Sequence, residues 1–173
     1  MTAIKPCEVP LDSLLRKYKD ANGYADCYVI EVAGRVSQAA FIEAFYTSPL
    51  FKVERTILKH LASKPSTDAQ ARQLANGSAD RFAAWRVEEQ SASELLLADF
   101  TGRTRSWLMA APFAGGTGAV GTRLHFGSAV VSRPYRGGRK AGMGWLFIAL
   151  LGFHRLYSRL LLRAAGKRAR PAY

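Results

Sequence analysis

Residues 80–132 read DRFAAWRVEEQSASELLLADFTGRTRSWLMAAPFAGGTGAVGTRLHFGSAVVS. Four runs in it are rich in residues that suit a half-buried strand: Phe82–Glu89, Glu94–Thr101, Arg103–Ala111 and Thr122–Ser132. Ser91-Ala92-Ser93 and Thr101-Gly102 are short polar connections of the hairpin kind. A Gly-rich loop, Pro112 to Gly121, joins the last two runs, and Pro134 ends the series. Consecutive strands joined by hairpins form an antiparallel sheet. The rest of the chain must then cover the faces of that sheet.

Upstream, Asp26–Val32 (DCYVIEV) reads as a first strand closed by Gly34. Short helices follow. Ser37 caps one that carries Ala40, Phe41, Ala44 and Phe45 on one side, and Ser48-Pro49 starts a second with Leu50, Val53, Ile57, Leu58 and Leu61 at helical spacing. Thr67 with Gln70 three residues on is a capping box, and Asn76-Gly77 stops that third helix. Residues 1–23 read as an arm: Pro6 and Pro10 break any early element, Asp12 caps a short turn, and Asn22-Gly23 ends it. Downstream, a long amphipathic helix is expected from Gly142 to Ala165. Met143, Leu146, Leu150, Phe153, Tyr157, Leu161 and Ala164 line one face, and Arg155, Arg159 and Arg163 the opposite one. Residues 166–173 read as a basic tail. The expected domain therefore runs from 24 to 165, and its class is α+β, with a curved antiparallel sheet wrapped around the C-terminal helix.

Charge is divided along the chain. Residues 1–99 carry 12 basic and 13 acidic side chains, whereas residues 100–173 carry 13 basic and no acidic ones. Such a field attracts phosphates, whether of an anionic membrane, a nucleic acid or a ligand. It is equally the composition of a chain in which Arg outnumbers Lys 17 to 8, as in GC-rich bacteria, with an idle basic surface. The N-terminus has interspersed charges and no apolar core of a secretory signal. The longest apolar stretch, Gly142 to Phe153, is shorter than the roughly 20 residues a bilayer span takes. A cytoplasmic protein with reduced thiols is expected. Two cysteines, Cys7 and Cys27, exclude a disulfide scaffold and a four-cysteine zinc site.

The element order resembles the helix-grip fold of the START-like (SRPBCC) superfamily of lipid binders, carriers and polyketide cyclases. The stretches Asp80–Val87, Trp107-Leu108, Thr122–Phe126 and Leu151–Ser158 are also similar to a small bacterial family within it. The likeness covers residues 24–165. It implies a cavity between sheet and helix, occupied by a small hydrophobic or amphipathic, lipid-like ligand. Tyr28, Trp85, Arg105, Trp107 and His125 are the expected ligand contacts, and the basic C-terminal half the part that touches an anionic membrane. The residues also permit an enzyme of cyclase, dehydratase or hydrolase type in the same cavity, with Asp99 and His125 as acid and base. No cofactor is implied.

Other motifs weigh less. Gly116–Gly121 matches G-x-G-x-x-G, but a strand follows it where a dinucleotide site needs a helix. Arg139–Gly144 (RKAGMG) resembles the acetyl-CoA loop of GNAT acetyltransferases, whose fold needs a further strand and helix, and eight residues follow Ala165. The same loop, through Arg139, Gly142 and Gly144, also suits a simple anion site at a helix start. His60, His125 and His154 show no ligand spacing, so no metal is expected unless the fold brings donors together. Cys27 reads as a small core residue rather than a nucleophile. Glu88 and Glu89, as strand neighbours, should face opposite ways. Asp99, inward by parity with Leu95 and Leu97, calls for a partner such as Arg103 or Arg105. Trp85, Trp107, Tyr28, Phe45 and Tyr46 suit either plain core or cavity wall, and the Arg155/Arg159/Arg163 stripe suits either a solvated face or head-group contact. Nucleic-acid binding rests on charge alone.

Overall fold

The computed structural model describes residues 2–21, 23–62, 66–114, 120–131 and 145–169. In chain order the elements are β1 (Lys5–Pro6), α1 (Arg16–Asp20), β2 (Tyr24–Ala33), α2 (Gln38–Tyr46), α3 (Pro49–Ala62) and α4 (Asp68–Ala75). There follow β3 (Arg81–Phe82), β4 (Trp85–Gln90), β5 (Glu94–Asp99), β6 (Thr104–Ala114), β7 (Val120–Val130) and α5 (Trp145–Arg168). The fold is α+β. Its seven strands form one open antiparallel sheet in the order β1-β2-β7-β6-β5-β4-β3.

The starts of α2, α3 and α4 are those the sequence encodes. Ser37 Oγ accepts the Ala40 N–H at 3.1 Å, Ser48 Oγ accepts that of Phe51 at 3.3 Å, and Thr67 and Gln70 form a complete capping box. Each cap satisfies amide groups that the first helical turn leaves without an internal partner.

Strand alternation divides the sheet into two faces. One face presents Tyr28, Ile30, Val32, Leu95, Leu97, Leu108, Ala110, Leu124 and Phe126 to α2, α4 and α5. Phe45 is the centre of that layer, with its ring 4.9 Å from Phe126 and 5.2 Å from Tyr46. The opposite face presents Cys27, Leu96, Trp107 and Ala129, and the N-terminal arm covers it with Val9 and Leu15. The sheet is thus buried on both sides, by helices and by the arm.

Three expectations are corrected. The run read as one strand from Phe82 to Glu89 is a tight hairpin: Phe82 pairs with Trp85 around Ala83, whose φ is 52°. Five strands, not four, therefore follow the helices. The arm is not devoid of structure, because β1 joins the sheet edge and α1 lies against it; α1 is preceded by Leu15 at its N-cap, not by Asp12. The final helix continues to Arg168, into the expected tail.

Candidate functional site

β1 meets β2 with Lys5 opposite Val29 and Pro6 opposite Tyr28. One residue further, this register sets Cys7 opposite Cys27, and the Cys7 N–H donates to the Cys27 carbonyl at 2.9 Å. Opposed residues of an antiparallel pair share a face and lie close, and the two sulfurs stand 2.8 Å apart. On the other side of β2, Cys27 is opposite Gly127 and Val29 opposite His125. His125 is therefore a diagonal neighbour of Cys27, with Nδ1 3.9 Å from Cys7 Sγ and 4.0 Å from Cys27 Sγ. The three donor atoms lie within 4.8 Å of one another. Among the described residues, this is the one such cluster of metal-ligating side chains.

The arm closes over the cluster. Cys27 is 3% exposed and His125 8%, while Cys7 is half-buried. Trp107 is completely buried, with its ring centroid 6.1 Å from that of His125. Gly127 makes room: a Cβ there would come within 2.6 Å of Leu15 Cδ2 and 3.0 Å of Trp107 Cε3. Glu94 fastens arm to sheet, since its Oε2 accepts the Trp107 indole N–H at 2.6 Å and the Leu14 backbone N–H at 2.8 Å.

The thiols are electrostatically unequal. The hydrogen bond with Cys27 lowers the Cys7 thiol to about 6, against the opposing effect of burial and with help from His125. The same contact, together with deeper burial, pushes the Cys27 thiol up. The contact thus favours negative charge on Cys7 and the proton on Cys27. A thiolate at a half-exposed position beside a second thiol is the arrangement that reactive cysteines show.

The residues singled out from the sequence separate across the sheet. Trp107, His125 and Arg105 lie on the arm face, whereas Tyr28 and Trp85 lie on the helix face. Tyr28 is covered by Arg159 of α5, whose guanidinium carbon is 5.3 Å from the ring centre. Trp85 has a buried indole N–H with no partner among the described residues. Arg105 pairs with Glu88 at 2.5 Å and donates to the Tyr18 hydroxyl at 2.9 Å.

Asp99 is not brought beside His125. It ends β5, and its carboxylate accepts the backbone N–H groups of Arg103 and Thr104 at 2.7 and 3.0 Å and the Thr101 hydroxyl at 2.5 Å. Its partner is the turn, not the side chain of Arg103 or Arg105. Glu88 and Glu89 do converge, contrary to simple alternation: a bulge between Val87 and Glu89 turns both toward Lys17, at 3.1 and 3.0 Å. Most of the Gly116–Gly121 loop, and Arg139, Gly142 and Gly144, fall outside the described residues, as do the side chains of His60 and His154.

Cys7 and Glu94 escaped the sequence reading. The signal for Cys7 was its reflection of Cys27 about the arm's turn, which is visible only once the arm is recognised as a strand. No protein-family model, no curated protein and no solved structure matches this chain.

Proposed function

We propose that the protein carries out reversible thiol–disulfide chemistry at Cys7 and Cys27. The observation that carries this reading is the register of β1 on β2, which sets the two sulfurs 2.8 Å apart beneath the arm. A peroxide-class oxidant meets half-buried Cys7 first. The Cys7 sulfur attacks one peroxide oxygen, the O–O bond breaks, and the departing oxygen leaves as water or alcohol after taking a proton. Cys7 is then a sulfenic acid. The Cys27 sulfur attacks the Cys7 sulfur, the S–O bond breaks, and water carries away the Cys27 proton. An external dithiol reverses the change by exchange. His125 acts as a positioning residue beside both sulfurs, and Leu15 and Trp107 keep water from the buried thiol.

The test is oxidation of the reduced protein with one equivalent of hydrogen peroxide, followed by intact-mass and peptide analysis. The expected product has lost two hydrogens and yields a linked Cys7–Cys27 peptide. Cys27→Ser should instead halt at a sulfenic acid that a dimedone-type reagent traps. Two thiols that remain fully alkylatable after oxidation would rule the reading out.

A second reading places a small apolar or amphipathic ligand in a helix-grip arrangement. It is supported by α5 lying against β2, β7 and α2. It is also supported by a cleft of about 380 Å³ lined by Arg35, Val36, Ser37, Pro112 and Thr122, within the size range of small-molecule sites. Among the described residues the Phe45 ring cluster occupies space between sheet and helices. Denaturing extraction of purified protein, analysed by mass spectrometry, should release a stoichiometric apolar compound; an empty protein speaks against this reading.

A further inference from the structure

We infer that the reduced thiol pair and His125 form a binding site for a soft, thiophilic d10 ion, copper(I). The donors are Cys7 Sγ, Cys27 Sγ and His125 Nδ1, contributed by the arm and by two adjacent strands and mutually within 4.8 Å. Two sulfurs and an imidazole form a soft set that thiophilic ions select, whereas magnesium and calcium require oxygen ligands. The carboxylates that flank the two cysteines are engaged elsewhere: Glu8 with Lys19, and Asp26 with the Ser128 hydroxyl.

Two features favour copper(I) over zinc. Structural zinc takes four ligands in a tetrahedron, and the cluster supplies three. The group across from His125 on β6 is Met109, opposite it in register and therefore on the same face. Its thioether is a further soft donor, which suits copper(I) and not zinc. The surroundings are apolar, with Val9, Leu15, Leu96 and Trp107 forming one cluster around Cys27. A low-charge ion loses little hydration on entering such a place.

An ion bound about 2.3 Å from each sulfur needs the sulfurs farther apart than 2.8 Å, by roughly 1 Å. Cys27 and His125 are fixed in the ten-residue ladder of β2 on β7, whereas Cys7 follows a two-residue strand at the sheet edge. The adjustment therefore falls on the arm. The ion and the disulfide exclude each other, because the disulfide consumes both thiolates. This inference goes beyond the redox reading and shares its residues, so the test must separate them.

The test titrates copper(I) anaerobically into fully reduced, full-length protein against a chromogenic copper(I) chelator. The expected result is one ion withheld from the chelator per chain. Cys7→Ser, at the half-buried position, should weaken retention at least 100-fold, and His125→Ala about 10-fold. Circular dichroism checks that each variant is folded. X-ray absorption of the complex should show sulfur and nitrogen in the first coordination shell.

The inference is overturned if reduced wild type, with both thiols titratable, leaves all copper to the chelator. It is also overturned if Cys7→Ser retains copper as wild type does, or if the site takes zinc and refuses copper(I). Copper retention by a protein whose thiols resist peroxide would sink the redox reading and leave this one standing. Disulfide formation without copper retention would do the reverse.

Discussion

Cys7 departs from the ordinary solution chemistry of a thiol. The hydrogen bond with Cys27 lowers the Cys7 thiol to about 6, which favours the thiolate at neutral pH. Its alkylation by iodoacetamide in metal-free protein should rise through pH 6 rather than through the usual thiol range near 8.5. Cys27, shifted the other way, should react only after unfolding. A peptide-resolved pH profile with both cysteines rising together above pH 8 would contradict this assignment. Gly127 makes a different kind of prediction. A methyl group there meets Leu15, the Asp26 carbonyl oxygen at 2.9 Å and Trp107, and two of those three neighbours are fully buried side chains that cannot swing aside. Gly127→Ala should cost about 1–3 kcal/mol, read as a lower urea midpoint at constant slope. The sequence made His125 and Trp107 legible as notable residues but not the face they occupy, because parity counts only from a known register. Cys27 looked inert because its partner lies 20 positions away, in a segment with no strand pattern.

At the scale of elements, the caps at Ser37, Ser48 and Thr67 and four of the five consecutive strand positions were written plainly in the sequence, since capping and alternation are local. What was not local was missed. The Phe82–Trp85 hairpin turns through Ala83 at φ 52°, a conformation that no Gly or Asn announced. The bulge at Val87–Glu89 then overturned the parity argument for the two glutamates. The arm was the largest omission, because Pro6 and Pro10 read as breakers, yet Pro6 is tolerated in an edge strand. Among the arm's polar attachments to the sheet, Glu94 is the buried carboxylate that takes two N–H groups at once. Removing that carboxylate strands two N–H groups, those of Trp107 and Leu14, in a buried place. Glu94→Ala should therefore destabilise the protein by about 2–4 kcal/mol. Proteolytic cutting should begin within residues 2–21, as followed by limited trypsin digestion at Lys17 and Lys19. A cut rate equal to wild type would mean that the arm's other contacts hold it without Glu94.

For the molecule as a whole, the asymmetry of charge survives folding as a surface feature. Arg155, Arg159, Arg163 and Lys167 are exposed on α5, beside Leu156 and Leu160 at 57% and 46% exposure. No helix of the described residues is long and apolar enough to cross a membrane. A basic face with two outward leucines should bring the protein down with phosphatidylglycerol vesicles at low salt and release it at high salt. Vesicles of neutral lipid should not bind it, and equal sedimentation with both kinds would show that charge is not the cause. Oxidation should also register globally: a Cys7–Cys27 link closes a loop of about 20 residues and, on chain entropy, is worth about 3 kcal/mol. The oxidised form should melt above the reduced one, and the difference should vanish in Cys7→Ser. A last consequence follows from the unequal lengths of the two outermost strands. β1 shields only a short part of ten-residue β2. Wherever the arm lifts, a long ribbon of unpaired amide and carbonyl groups is laid bare, ready to stitch onto the same ribbon of another chain. In this sense the arm is a guard against polymerisation, and whatever fastens Cys7 in place sets how often the guard is down.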